Sequence, residues 1–208
     1  MRLPDFLGIG TQKGGTTYLY ELLKQHPQVF LANPKEQHFF SLHWHRGSDW
    51  YRNQFDEAAA GQICGEITPY YMFHPEAPSR IASLLPKVKL VVLLRDPVER
   101  ALSQYFHSYR LGLEHLNLEG AFSEESRRLI ACAETLKKGL PHLSHQQHSY
   151  LSRSRYEEQL PHFNLFFTSD QILLLRSEDL FAAPSATWEK ITNFLDSWMF
   201  SDRKSTTT

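Results

Sequence analysis

Lys13 stands inside a glycine-rich run, GIGTQKGGTT at residues 8–17, at the end of the apolar stretch LPDFLGI and just before the helical-looking YLYELLKQH. A glycine-rich turn between a strand and a helix lets successive backbone N–H groups converge on an anion at the positive end of the helix. The hydroxyls of Thr16 and Thr17 add donors, so phosphate or sulfate is the natural guest. The pattern GxxxxGK[ST] is not satisfied, because Lys13 precedes Gly14 and Gly15 instead of following them, which counts against ordinary nucleotide-dependent kinase chemistry. The bland alternative is a tight turn with a solvated lysine.

A second group of such residues lies in LLRDPVERALSQYFHSY, which puts Arg95 at the carboxyl end of an apolar strand and Ser103 two helical turns later. Ligands of open α/β sheets bind at such strand ends, where an arginine fork and a hydroxyl can hold a phosphate. NPKEQHFF adds Glu36 and His38 just past the second strand. Taken alone, they read as a surface carboxylate and a core histidine beside Phe39 and Phe40. EQHFFSLHWH also offers His38, His43 and His45, but no cysteine or close carboxylate pair completes a metal site, and none is expected.

These residues must be positioned by elements that alternate along the chain. Strands are read at 6–10, 29–32 and 62–66 and in KLVVLLRDP at 89–97, with a late one in QILLLRSEDL. Helices are read across Thr17 to Gln25, in SRIASLLP, in VERALSQYFHSYRLG with Gly112 as its stop, from Arg155 to Phe166, and in WEKITNFLD. The stretch from Leu113 to Ser149 is weakly patterned and is assigned helix and loop. VVLL is continuously apolar, as in a strand buried on both faces. Together these elements predict an α/β fold: an open, mostly parallel sheet with flanking helices, in a single domain over residues 1–200.

Composition sets the bounds. The chain has 208 residues, 41% of them hydrophobic, enough for one core. Lys plus Arg total 22 against 23 acidic residues, so no whole-chain field steers it toward nucleic acid or an anionic membrane. The two cysteines, Cys64 and Cys132, form no disulfide or zinc framework and read as buried fillers. With no leader-like N-terminus and no apolar run of spanning length, a cytoplasmic location is expected.

TQKGGTT, KEQHFF, GEITPYY and LLRDPVERALSQY stand in the order and approximate spacing of the sulfotransferases that use 3'-phosphoadenosine 5'-phosphosulfate (PAPS). The chain resembles that family over about residues 4–200, and is most similar to the heparan sulfate and carbohydrate branch. The resemblance implies the P-loop-like sulfotransferase fold. It implies that Lys13, Gly14, Gly15, Thr16 and Thr17 hold the 5'-phosphosulfate, and that Arg95 and Ser103 hold the 3'-phosphate. It further implies that Lys13 stabilises the departing oxygen, that Glu36 is the general base toward an acceptor hydroxyl, and that His38 orients Glu36 or contacts the acceptor. Glu66, Thr68, Tyr70 and Tyr71 are placed by the resemblance along the acceptor cleft, with Tyr70 and Tyr71 read equally well as ordinary packing aromatics.

The sequence departs from its relatives in places. Ile67 stands where many carbohydrate sulfotransferases have lysine, and Ser41 where relatives often have an acidic residue. Relatives usually continue past the helix WEKITNFLD through a lysine-glycine loop that closes over the nucleotide. Here the sequence reads SDRKSTTT, expected as a disordered tail over 201–208, with Arg203 and Lys204 as possible substitutes. Weakened cofactor binding is the corresponding expectation. The alternatives are a nucleotide-binding protein that has lost turnover and, less favoured, a phosphate-loop kinase. The acceptor, a carbohydrate or small molecule, is expected to be read by the variable 113–149 stretch.

Overall fold

The fold, a computed structural model, is described for residues 2–130 and 132–202, with side chains described through Leu195. Strand β1 (Phe6–Gly10) is buried at every position and lies at the centre of the sheet. Beside it run β3 (Ile63–Ile67) and β4 (Lys89–Leu94), with β2 (Val29–Leu31) and β5 (Ile172–Arg176) at the edges, in the order β2-β3-β1-β4-β5. Every pairing is parallel. A central parallel strand is covered on both faces, which is why FLGIG and KLVVLL read as unbroken apolar runs. Close strand contact also fixes composition: a Cβ on Gly65 would fall 2.2 Å from the Phe6 ring.

Alternate residues of the central strands feed two cores. Leu7, Ile9 and Val92 join Phe39, Phe40, Tyr51, Tyr71 and Phe163 on one face. Phe6, Val91 and Leu93 join Leu19, Leu23, Leu180 and Ile191 on the other. Helices α1 (Thr16–Lys24), α2 (Gly47–Arg52), α3 (Ala77–Leu84) and α4 (Pro97–Arg110) follow in chain order. Asp96 caps α4 by accepting the N–H groups of Val98 and Glu99, at 3.0 and 2.9 Å, and Pro97 occupies the first turn, where its missing N–H costs nothing. Gly112, at φ 68°, ends the helix as its sequence suggests.

The weakly patterned stretch folds as α5 (Leu118–Arg128), α6 (Cys132–Lys137) and α7 (Leu143–Gln147). Ala121 and Tyr150, with Leu118 and Phe122, pack on Ala101 and Tyr105 of α4, and polar ties add to them. The Glu114 carboxylate accepts two bonds from Arg128, at 2.5 and 3.0 Å, and one from the Tyr150 hydroxyl at 2.9 Å. Glu125 accepts the N–H groups of Leu151 and Ser152, both at 2.7 Å. The buried Arg100 of α4 donates to Ser154 Oγ, Gln104 Oε1 and the Tyr150 carbonyl.

Helix α8 (Tyr156–Asn164) leads to β5, then α9 (Ser177–Ala182) and α10 (Pro184–Asp202). Most element ends shift by one to three residues from the sequence reading, and two of the shifts have a plain cause. SEDL opens α9 instead of prolonging the late strand, because Ser177 turns inward and Leu180 packs into the core. Helix α10 begins at Pro184, ahead of WEKITNFLD, since proline is tolerated in a first turn. Helix α2 was not anticipated. Cys64 is buried and Cys132 half-buried. Residues 203–208, with Arg203 and Lys204, lie outside the described residues.

Burial pushes the Glu114 carboxyl up, but the Arg128 guanidinium, the Leu116 N–H and the Tyr150 hydroxyl outweigh it and hold it at about 2. A depressed carboxylate contributes stability that is present above its unfolded value, roughly pH 4.3, and is lost as pH falls through its folded one. Glu114→Ala, which strands Arg128, is expected to lower unfolding free energy by about 3 kcal/mol at pH 7. In urea titrations the difference from wild type should shrink from roughly pH 4 downward; a difference independent of pH would deny the ion pair its role.

Candidate functional site

At the carboxyl end of β1 the chain turns back on itself within five residues. Thr11 N–H donates to Leu93 O at 2.6 Å and Gly14 N–H to Thr11 O at 3.0 Å. A Cβ on Gly14 would lie 2.9 Å from Leu93 O, so the loop backbone sits directly on the end of β4. Lys13 and Gly15 take positive φ, 68° and 90°, which brings the turn round to the start of α1. That start has no side-chain cap and no acidic residue in its first turn. Its N–H groups are therefore not taken by the protein's own carboxylates, as an anion site requires. Thr16 is buried and Thr17 exposed.

Arg95 joins this loop: its Nη1 donates to Lys13 O at 3.1 Å and its Nη2 approaches Glu99 at 3.4 Å. Its own carbonyl accepts from the Tyr156 hydroxyl at 2.9 Å. Ser103 is half-buried on α4, four residues before His107 and seven before Arg110. Burial lowers the Lys13 ammonium, and the like charges of Arg110 and Arg95 lower it further. His107 is likewise lowered by burial, then by Lys13 and Arg110. Cations are thus crowded around an uncapped helix start. The sequence reading missed His107 and Arg110, although their spacing from Ser103 puts all of them on one helical face.

The second half of the site is the 33–41 loop. Glu36 and His38 both take positive φ, 67° and 53°, a conformation that non-glycine residues hold only when their surroundings fix it. The surroundings are specific. Phe39 and Phe40 are fully buried, and Phe39 stacks on Tyr51 with centroids 4.3 Å apart. His38 N–H reaches Thr68 Oγ1 and Phe40 N–H reaches the Tyr71 hydroxyl, each at 3.4 Å. Arg80 donates to the carbonyls of Phe40 and Ser41, both at 3.1 Å. Thr68 and Tyr71 thus brace the loop from beneath instead of lining a cleft, which corrects the expectation for Thr68 and makes Tyr71 the packing aromatic.

Glu36 bonds Lys35 Nζ at 2.7 Å and approaches His38 Nε2 at 3.5 Å. Burial raises its carboxyl, but the His38 hydrogen bond and the Lys35 ammonium prevail and hold it at about 2. Glu66 behaves oppositely. It is 1% exposed, away from the cleft, and burial pushes it up to about 8 against the pull of the nearby Tyr71 and Tyr51 hydroxyls. It is therefore protonated at neutral pH, and neither of its oxygens completes a hydrogen bond. Ile67 is fully buried and packs where a Cβ on Gly8 would lie.

A pocket of about 130 Å³ joins the two halves, lined by Gln12, Glu36, His38, Tyr70, Gln146 and Arg153 among others. Gln12 precedes Lys13, so the pocket opens beside the anion loop. Beyond it lies a larger cleft, about 990 Å³, with His43, His45, Arg46, Arg80, Lys137 and Lys138 in its wall. Among the described residues no group of histidines, cysteines and carboxylates is arranged to hold a metal. Asp96, the acidic residue that a kinase reading would need for magnesium, is committed to capping α4.

The sulfotransferase domain family matches residues 3–203. The chain belongs to the sulfotransferase domain family. It is 34% identical over 196 residues to heparan sulfate glucosamine 3-O-sulfotransferase 3B1 of Mus musculus, covering 93% of this chain and 46% of that protein. It is 29% identical over 264 residues to membrane-associated sulfotransferase kil1 of Dictyostelium discoideum, covering 93% and 56%. The chain therefore spans about half the length of these curated relatives. Among solved structures, the sulfotransferase of Alicyclobacillus acidocaldarius superposes with a TM-score of 0.79 at 25% identity, over 94% of this chain and 82% of that one. No helix among the described residues of this chain is long and apolar enough to cross a membrane.

Arg110→Gln removes a like charge from beside Lys13 and should move the Lys13 pKa upward, read by NMR titration of carbon-labelled lysine. An unmoved titration would place Arg110 outside the site.

Proposed function

We propose that this sulfotransferase moves a sulfuryl group from PAPS to a hydroxyl of a carbohydrate or similar small acceptor. The observation that carries the reading is the pocket in which Gln12, the neighbour of Lys13, faces Glu36 and His38. It sets an anion loop against a carboxylate with space between them for a reacting group. The uncapped start of α1, the close-packed Gly14 backbone and the Lys13–Arg95–Arg110 cluster suit a polyanionic nucleotide.

PAPS supplies the sulfuryl group: the acceptor oxygen bonds to sulfur as the bond from sulfur to the bridging phosphate oxygen breaks, its electron pair staying on that oxygen. Lys13 faces the charge left there, held in place by the Arg95 bond to its carbonyl. Glu36 is ionised at neutral pH and takes the proton released by the acceptor hydroxyl. His38, hydrogen-bonded toward Glu36 and Ser41 Oγ, fixes the direction of that carboxylate. Arg95 and Ser103 are assigned to the 3'-phosphate, and Thr16 and Thr17 with Gly14 and Gly15 to the 5' end. No metal is needed. A cytoplasmic location remains part of this proposal.

A carboxylate held at about 2 is a weak base, which favours a second reading: a nucleotide-binding member of the family without turnover. Calorimetric titration separates the possibilities. PAP (3'-phosphoadenosine 5'-phosphate), the desulfated nucleotide, should bind tightly where AMP does not, and Lys13→Ala and Arg95→Ala should each weaken it. Glu36→Gln should keep PAP affinity while lowering kcat by about 10² to 10⁴ with labelled PAPS and a carbohydrate acceptor. PAP binding without transfer by wild type would support the second reading; equal binding of PAP and AMP would defeat both.

The rate profile gives a further check. Because Glu36 stays ionised down to about pH 2, it contributes no acidic limb to kcat/KM in the neutral range. His38→Ala removes a bond that lowers the Glu36 pKa and should move that limb upward in pH. A limb left in place would remove His38 from contact with the base.

A further inference from the structure

Arg153 lies on the opposite wall of the Glu36 pocket and was not singled out by any sequence motif. It is 2% exposed, and among the described residues lining the pocket it is the one arginine or lysine. Its hydrogen bonds go to neutral oxygens only: Gln12 Oε1, His145 O at 2.9 Å and Gln146 O at 3.0 Å. The rings of Tyr70 and Phe73 flank the guanidinium, 5.2 and 5.1 Å from centroid to Cζ. Its Nε is buried with no partner; among the described residues no carboxylate bonds it directly, and the charges of Glu125 and Glu36 favour its cation only at longer range. Burial lowers it only to about 10, so it is charged at neutral pH.

A buried cation with no carboxylate in direct contact and an unpartnered Nε is costly to hold, and an anion arriving with the substrate would offset that cost. We propose that Arg153 is a substrate-contacting residue of this transferase, holding an anionic oxygen that enters the pocket between Gln12 and Glu36. This rests on the sulfotransferase reading above. The chemistry is that of a sulfonate or carboxylate oxygen, which has two sources: the sulfuryl group of the donor, or an anionic substituent of the acceptor beside the reacting hydroxyl. The bond to Gln12 also couples Arg153 to the residue next to Lys13, so the same side chain senses the anion loop.

The test compares wild type, Arg153→Lys and Arg153→Gln by titration with PAP and with PAPS in the absence of acceptor. Steady-state kinetics follow on a glucosamine disaccharide in N-acetylated and N-sulfated forms. In a variant that still melts cooperatively and binds PAP within about twofold of wild type, loss of a charged hydrogen bond should appear as a roughly ten- to hundredfold effect. If that loss falls on PAPS affinity, the oxygen belongs to the sulfuryl group. If it falls on kcat/KM for the N-sulfated disaccharide alone, the oxygen belongs to the acceptor. Arg153→Lys keeps the charge, should retain part of either effect, and decides the matter if Arg153→Gln does not fold.

A strut that only ties down the carbonyls of His145 and Gln146 would change melting and leave both ratios alone. An unchanged PAPS-to-PAP ratio together with an unchanged acceptor preference, in a folded variant that binds PAP normally, overturns the proposal. A wild-type chain that does not bind PAP would overturn the nucleotide reading and this inference with it, a failure distinguishable from the first.

Discussion

The weld between the β1–α1 turn and the end of β4 sets the position of nearly every charge in the site. Thr11 bonds the Leu93 carbonyl, the Gly14 backbone lies against that same oxygen, and Arg95 returns a bond to the Lys13 carbonyl. A lysine on a free loop would average its charge over many positions. Here the backbone carrying Lys13 is fixed by the two central strands, and only the side chain retains freedom. Preorganised charge does not have to reorient when a reaction develops charge of its own. The cations that crowd the turn lower the Lys13 ammonium, so the geometry is held against their mutual repulsion by the sheet itself.

Two glutamates on either side of the 36–41 loop show how burial and partners sort like groups. Glu36 is surrounded by donors and stays ionised far below neutrality, whereas Glu66, sealed beneath the loop, is protonated. A second buried negative charge there would oppose the first across a dry interior. The loop above is held in left-handed conformations by Thr68, Tyr71, Arg80 and the buried Phe39–Phe40 pair. Those conformations cost energy that the core supplies through packing.

Much of this was legible from residue types. The parallel sheet could be read because its central strands are unbroken apolar runs, and the anion loop because glycine, lysine and threonine stand between a strand and a helix. Glu36 and His38 were located by a motif, not by physics, and their strained backbone left no mark that periodicity could detect. Thr68 was misplaced into the cleft, and Tyr71 was left open between cleft and core, because a sequence does not reveal which face of a turn a hydroxyl occupies. The 113–149 stretch was opaque for a different reason: Glu114, Arg128, Glu125 and Arg100 hold it with charges and backbone groups. Arg153 was invisible because its partners are backbone carbonyls and a glutamine that is distant in sequence.

That polar anchoring has an evolutionary corollary. The Glu114–Arg128–Tyr150 knot and the Glu125 bonds to residues 151 and 152 begin and end within one contiguous stretch, which meets the rest of the molecule through Arg100 and Gln12, through Ala101 and Tyr105 packed on Ala121 and Tyr150, and through Tyr70 and Phe73 around His145. The stretch therefore ties to itself as well as to the scaffold on either side of it. Replacing it would redraw the wall around Gln146 and Arg153 while leaving the strand ends and the anion loop as they are. Diversification of what the pocket accepts can thus proceed by exchange of one segment, with no renegotiation of the sheet.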